Sequence, residues 1–271
     1  MNATSDLLSR FGFHTLPFTR EIPVKERFAL DLYEESLAYL QRALANRMSA
    51  ALIAPAGTGK TALLRALCER LPETRYRVHY VKVTDVSRRD LCREIAATLD
   101  VAPAGTYPVL VRRLQARFSA ALEEQAQRPV LVLDEAHGLR PEVLGLLCTL
   151  TNFAMDSRLV VSVLLSGQPP LAALLRQERF ADVTHRLAHC ATLRPLSRTE
   201  STQYVTHRCA VAGCPTPPFD RPAQEALYEI ARGNLRATDH LALKSLEIAH
   251  DAQAETVDAA HVTTARRLLW P

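Results

Sequence analysis

Apolar positions fall into two periods along this chain, and the change from one to the other marks its organisation. Leu30, Tyr33, Leu37, Leu40 and Leu44 recur at helical spacing and predict a helix over 28–44. Residues 50–53 predict a short apolar strand that runs at once into a glycine-containing turn. A helix is expected over 61–71, closed by Pro72. Residues 77–83 alternate as a strand does, and 87–99 read as a helix with Ser87 as its N-cap. Beyond a loop at 102–108, a long amphipathic helix runs to about Gln127. The continuous apolar run at 129–133 is closed by Asp134 and Glu135, the pattern of a central parallel strand covered on both faces. A helix over 141–153 and a second buried strand over 159–165 follow.

Strands alternating with helices predict a parallel sheet with helices on both faces. After about Ser197 the pattern changes. Helical stretches at 199–212, 220–232, 236–252 and 258–269 follow one another with no strand between them. The expected organisation is an α/β core over 1–195 and a small all-α domain over 196–271. The core begins with an N-terminal extension holding Phe11, Phe13, Pro17, Phe18 and Pro23, too aromatic for a free tail.

Composition narrows the class only a little. The 271 residues are 48% hydrophobic and 23% charged, ordinary for a globular protein. The strongest apolar run, 159–165, is far too short for a bilayer, and the first residues lack a signal-peptide pattern, so a cytoplasmic protein with no membrane segment is expected. Six scattered cysteines without a CxxC pair predict reduced thiols rather than a disulfide framework or a zinc site. A net charge of +4 permits nucleic-acid binding without establishing it.

The chemistry concentrates in two places. Ala54-Pro55-Ala56-Gly57-Thr58-Gly59-Lys60-Thr61 fits the phosphate-binding P-loop, with Ala54 in place of the first glycine. Gly57 and Gly59 allow successive backbone N–H groups to point at phosphate, and the helix that follows presents its positive end to the same anion. Residues 55–62, from Pro55 to Ala62, are thus the candidate ATP contacts. Lys60 is expected on the β- and γ-phosphates and the Thr61 hydroxyl on Mg²⁺. Asp134, at the end of its strand, is the second candidate Mg²⁺ ligand, and Glu135 is placed to polarise the attacking water. His137 completes an Asp-Glu-Ala-His sequence that also occurs in helicases. No second recombinase-like domain is visible, so a helicase is not expected, and His137 is read as a hydrogen-bonding residue beside the site.

At these motifs the chain resembles the AAA+ ATPases, and more closely their ExeA-like group. Further markers are Phe11-Gly12-Phe13 with Pro17-Phe18, Ser166-Gly167-Gln168-Pro169, His185-Arg186-Leu187 and Gly233-Asn234-Leu235-Arg236. The resemblance implies a P-loop NTPase sheet sandwiched by helices and followed by a helical lid. It implies ATP and Mg²⁺ as cofactors and a ring or helical homo-oligomer as the working form. Ser166 or Gln168 would be sensor 1, reading the γ-phosphate or attacking water. Arg186 would be the arginine finger acting on the neighbouring subunit's nucleotide, with Arg179 as a competing choice, and such fingers are worth about 10³ to 10⁵ in turnover. Arg236 would be sensor 2, although relatives often carry a proline before that arginine.

The chain is also similar to the transposition regulators TniB, TnsC and IstB, which implies assembly on double-stranded DNA and a transposase partner. Arg88, Arg89, Arg93 and Thr106 match the positions that face DNA there, where cations would give salt-sensitive contacts to phosphate. A solvated helix face explains the same charges equally well. The alternative of a different class is an ExeA-like secretion or envelope-assembly ATPase acting on protein partners. A third is a nucleotide-gated module with negligible turnover.

Overall fold

Apolar strands such as 129–133 need cover on both faces, and a helix-flanked parallel sheet provides it. The computed structural model describes residues 3–83 and 85–270 of the chain. Its strands are β1 (Ser49–Ile53), β2 (Tyr76–Lys82), β3 (Arg128–Asp134), β4 (Ser162–Gly167) and β5 (Leu187–Thr192). The helices before β3 are α1 (Ala3–Phe11), α2 (Asp31–Ala45), α3 (Lys60–Glu69), α4 (Arg88–Thr98) and α5 (Tyr107–Glu124). Between β3 and β5 lie α6 (Pro141–Leu144), α7 (Leu146–Thr151), α8 (Pro169–Leu175) and α9 (Ala181–Thr184). The chain closes with α10 (Arg198–Val211), α11 (Arg221–Ala231), α12 (Leu235–Asp251) and α13 (Ala259–Leu269).

Two compact units divide these elements. One comprises Asp31–Pro55 and Leu63–Leu193; the other comprises the residues up to Leu30, Ala56–Ala62 and those from Arg194 onward. In the first, the five strands pair in the order β2-β3-β4-β1-β5, every pair parallel. β3, β4 and β1 occupy the middle and are buried almost throughout, whereas β2 and β5 at the edges alternate between buried and open positions. Leu91 and Ile95 of α4, Leu110, Leu114 and Phe118 of α5, and Leu131 and Leu133 of β3 share one buried cluster. Ser87 caps α4 as its sequence suggests, its hydroxyl oxygen accepting from the Asp90 amide.

Three boundaries differ from the pattern-based expectation. The strand expected over 159–165 starts only at Ser162, where pairing with Val130 begins, and Leu159 is left 46% exposed. The helix expected over 141–153 is interrupted at Gly145 and resumes at Leu146 as α7. The helix expected from 28 begins at Asp31, because Phe28 is drawn into the other unit, edge-on to Tyr204 and beside His207 with ring centroids 5.6 and 5.5 Å away.

In the helical unit, Phe11, Phe13 and Phe18 are buried with Val205, Cys209, Leu227, Leu241 and Leu246. The aromatic N-terminal extension is therefore core. A buried ion pair pins it further: Arg208 donates to the Asp239 carboxylate (3.2 and 3.3 Å), to the Tyr204 hydroxyl (2.8 Å) and to the Thr19 carbonyl (2.6 Å). All six cysteines are free, and among the described residues no helix is long and apolar enough to cross a membrane.

His79 of β2 is buried in the sheet unit, with Nδ1 on the Thr98 carbonyl at 2.9 Å and Nε2 without a hydrogen-bond partner. Nδ1 thus carries the proton and donates, which leaves Nε2 as an acceptor in an apolar setting beside Phe118. Burial lowers the His79 pKa below its usual value of 6.5. At acidic pH the unfolded chain therefore binds a proton that the folded chain refuses, and stability falls as pH drops through 6.5. Lowering the pH from 7.5 to 5.5 is therefore expected to reduce the midpoint of urea unfolding more in the wild type than in His79→Leu, the difference between the two being the His79 contribution.

Candidate functional site

Leaving β1, the chain turns through 54–59 and enters α3 at Lys60. Ala54 is buried and its amide donates to the Gly167 carbonyl at the end of β4 (3.0 Å), which ties the start of the loop to the sheet. Gly57 (φ +78°) and Gly59 (φ +88°) occupy the left-handed region, where a side chain would be strained. Thr58 and Lys60 are buried, Ala56 and Thr61 are exposed, and Pro55 and Ala62 lie between. The loop thus has the glycine geometry and the helix amino terminus that phosphate recognition requires.

One residue of the helical unit holds this loop. The Asn234 side-chain amide donates to the Ala56 carbonyl (2.7 Å), while its carbonyl oxygen accepts from the Ala237 amide (3.1 Å) and caps α12. Next to it, the Arg236 backbone amide donates to the Gly57 carbonyl (3.2 Å). The approach is so close that a Cβ on Gly57 would fall 2.2 Å from Asn234 Oδ1. Gly233, with φ +74°, lies against Leu196, and a Cβ there would sit 1.9 Å from the Leu196 carbonyl oxygen. The Gly233-Asn234-Leu235-Arg236 segment thus meets the loop through Asn234 and a backbone amide, with the Arg236 side chain exposed.

At the end of β3, Asp134 is 3% exposed and accepts from Ser166 Oγ (2.8 Å), Tyr80 OH (3.0 Å) and the Glu135 amide (2.9 Å). These bonds hold both carboxylate oxygens, and Ser166 is wholly buried with its hydroxyl spent on Asp134. Burial and the neighbouring Asp134 carboxylate push the Tyr80 hydroxyl up to about 12, so it remains a donor at any physiological pH. Glu135 has φ +59°, a left-handed conformation costing a non-glycine residue about 1 to 2 kcal/mol. Its carboxylate is 3.5 Å from Gln168 Nε2 and 3.6 Å from His137 Nδ1, and Gln168 Nε2 is 3.0 Å from His137 Nε2. A buried, oriented carboxylate followed by a strained, half-open one suits metal-ion binding and water activation.

The arginines have partners of their own. Arg186 makes a two-pronged pair with Asp156, 2.5 Å through Nη1 and shorter still through Nη2. That pair raises the Arg186 pKa and lowers that of Asp156. Arg179 donates to Gln177 (2.9 Å) and lies over the Phe180 ring, exposed. Arg88 donates to the Glu142 carbonyl (2.6 Å), Arg89 to the Gly105 carbonyl (3.1 Å) and Arg93 to Asp90 (3.1 Å). Thr106 sits at the N-cap of α5 without a side-chain capping bond.

Pattern reading passed over Asn234, Tyr80 and Asp156. Asn234 stood inside a noted motif, where an N-cap residue before a helix was the available signal. Tyr80 on an alternating strand and Asp156 in a loop carried no local signal.

A parallel sheet in this order with its loop after β1 and acid pair after β3 is the fold of the AAA+ P-loop NTPases. Residues 42–175 match the family described as AAA domain. The chain is 32% identical over 231 residues to the general secretion pathway protein A of Aeromonas hydrophila, covering 82% of this chain and 41% of that protein. The chain thus spans less than half the length of this curated relative. Together these matches support an AAA+ ATPase of the ExeA-like type. Among solved structures, Cdc6p of Pyrobaculum aerophilum superposes with a TM-score of 0.76 at 20% identity, covering 93% of this chain and 70% of that one. The Aeropyrum pernix ORC1 protein in complex with DNA gives 0.67 at 22%, covering 92% and 68%. The RuvB Holliday junction branch migration motor of Thermotoga maritima gives 0.59 at 18%, covering 93% and 73%. At these identities the likeness is one of fold.

Asn234→Ala removes both the cap and the hold on Ala56, whereas Asn234→Asp keeps the cap acceptor and loses the donor. The alanine variant is expected to lose about 1 kcal/mol of stability in chemical denaturation and the aspartate variant much less. Hydrogen–deuterium exchange over 56–60 should quicken in both.

Proposed function

We propose that the protein is an ATP-hydrolysing AAA+ ATPase that assembles with its own copies and acts on protein partners, as a secretion or envelope-assembly ATPase of the ExeA-like type. The likeness over 231 residues to a general secretion pathway protein carries the choice of partner class. For hydrolysis, the support is the acid pair: a buried Asp134 held by donors from two neighbouring strands, then Glu135 in a left-handed turn with Gln168 and His137 against it.

In this reading residues 55–62 cradle the triphosphate, with Lys60 on its terminal phosphates. Thr61 and Asp134 supply the hard oxygen donors that Mg²⁺ prefers. When bound, the metal would neutralise charge on the phosphates, which is the chemistry it supplies. Glu135 orients the attacking water, and Gln168 with His137 sets the direction of the Glu135 carboxylate. Ser166 acts by holding Asp134, and Gln168 is the better placed of the two to read the γ-phosphate. Arg186 is the finger offered to a neighbouring copy, Arg179 its alternative, and Arg236 reports nucleotide through the backbone of its own segment. A cytoplasmic location follows from this role.

A second reading is assembly on double-stranded DNA to regulate a transposase. Its support is the exposed Arg88 and Arg89 with the half-buried Arg93 on the same helix, on a chain of net charge +4, and a protein of this fold solved in complex with DNA. Against it, each of these arginines already has an acceptor within its own chain, as a structural role would require.

ATP turnover measured with and without double-stranded DNA separates the two. Wild type is expected to turn over ATP indifferently to DNA, and Glu135→Gln to lose about 10² to 10⁴ in rate while still binding nucleotide. Stimulation by DNA that disappears on charge reversal at Arg88 and Arg89 would transfer the assignment to the DNA reading. Absence of turnover under every condition would leave a nucleotide-gated binding module.

A further inference from the structure

Asp156 lies in a loop that no part of the proposed chemistry uses. Ala154, Met155 and Asp156 all have positive φ (49°, 55° and 65°), three successive non-glycine residues in a region such residues avoid. The loop closes on itself through the Asp156 amide on Asn152 Oδ1 (3.1 Å), the Ser157 amide on the Ala154 carbonyl (3.2 Å) and the Arg158 amide on the Phe153 carbonyl (3.3 Å). Arg158 anchors its far end to Glu123 (2.6 Å). Met155, at its tip, is 96% exposed. The backbone is thus bent, at the expense of strain, into a form that presents one carboxylate to Arg186.

The pairing is two-pronged, the geometry by which a guanidinium also grips a phosphate. It uses Nη1 and Nη2 and leaves Arg186 Nε buried without a hydrogen-bond partner. The guanidinium is therefore held, but not fully satisfied. Asp156 is about half exposed, at 46% of its side chain, so water and salt weaken the pair. A more highly charged oxyanion can displace this carboxylate. The surroundings are mostly polar: Gln115, Cys148, Thr149, Asn152, Asp182 and His185 line an open cavity of about 660 Å³ with the pair, and the Cys148 thiol is a further, weaker partner of Arg186.

We propose that Asp156 is an internal stand-in for phosphate, a latch that keeps Arg186 folded back in the isolated subunit and yields it to the triphosphate of a neighbouring copy on assembly. This rests on the reading of Arg186 as a finger acting on another copy. Assembly and hydrolysis then compete with the latch, so activity sets in only where copies and ATP are both abundant. No bond is made or broken; one anion replaces another on the same guanidinium.

Mixed assemblies of the full-length chain test the latch apart from the reading beneath it. Arg186→Ala keeps Glu135 but offers no finger, and Glu135→Gln offers a finger without turnover, so an equimolar mixture regains ATPase activity only if the finger acts between copies. The donor is then changed to Glu135→Gln with Asp156→Asn, and circular dichroism checks that it folds as its parent does. The latch predicts that this second donor restores activity at a protein concentration roughly three- to fivefold lower, the scale of a half-exposed ion pair. Equal rescue by both donors would overturn the latch and leave the finger standing. Rescue by neither would remove the finger reading and the latch with it. As a check without mixing, Asp156→Asn alone should shift the onset of ATPase activity to lower protein concentration, and Asp156→Glu should shift it less.

Discussion

A carboxylate buried at the end of an apolar strand is tolerable only if its oxygens are met by donors, and much of the sheet unit is arranged around that requirement. Asp134 ends β3, the strand buried almost throughout. Its donors come from the strands on either side: Tyr80 from β2 and Ser166 from β4. Parallel pairing makes this possible. Lys82 lies opposite Asp134 in the β2 register, and Tyr80 is two residues earlier, on the same face. Leu133 lies opposite Leu165, which brings Ser166 level with Asp134. A slip of one residue in either register would turn the donor to the other face and leave the carboxylate unmet.

In the helical unit, too, polar side chains join segments distant in sequence. Arg208 meets Asp239, Tyr204 and the Thr19 carbonyl, and so binds the N-terminal extension to α10 and α12. Asn234 spends one side-chain atom on the cap of α12 and another on the Ala56 carbonyl. A rotation of α12 about its first turn would therefore be felt at the loop. That coupling is mechanical and needs no side chain of Arg236. By contrast, the Arg186–Asp156 pair meets water through Asp156, which is half exposed and sits in a strained loop, the properties of a contact made to be exchanged rather than kept.

Much of the fold was legible along the chain. The apolar runs at 50–53 and 129–133, the alternation at 77–83 and the Ser87 cap are local signals, and the strands and helix they predict are present within a residue or two. What failed did so for reasons outside any local window. Leu159 is as apolar as its neighbours but lies before the point where β3 begins to pair, so it stays open. Phe28 fits the periodicity of α2 yet packs on Tyr204 and His207, some 180 residues away. At the site, the loop and the acid pair were readable because glycines at fixed spacing and carboxylates after an apolar strand are unusual in themselves. Tyr80 and Asp156 were not, since a strand tyrosine and a loop aspartate are common and acquire meaning only from what faces them.

By itself, then, the sequence determined the alternating strands and helices, the run of helices after Ser197, and the glycine-bearing turn between β1 and α3. These follow from side-chain size, polarity and glycine content, which act over a few residues. Tertiary structure decided which donor meets which acceptor. It placed Ser166 on Asp134, Asn234 on the loop and Asp156 on Arg186, because a hydrogen bond depends on distances of a few tenths of an ångström between groups that only folding brings together.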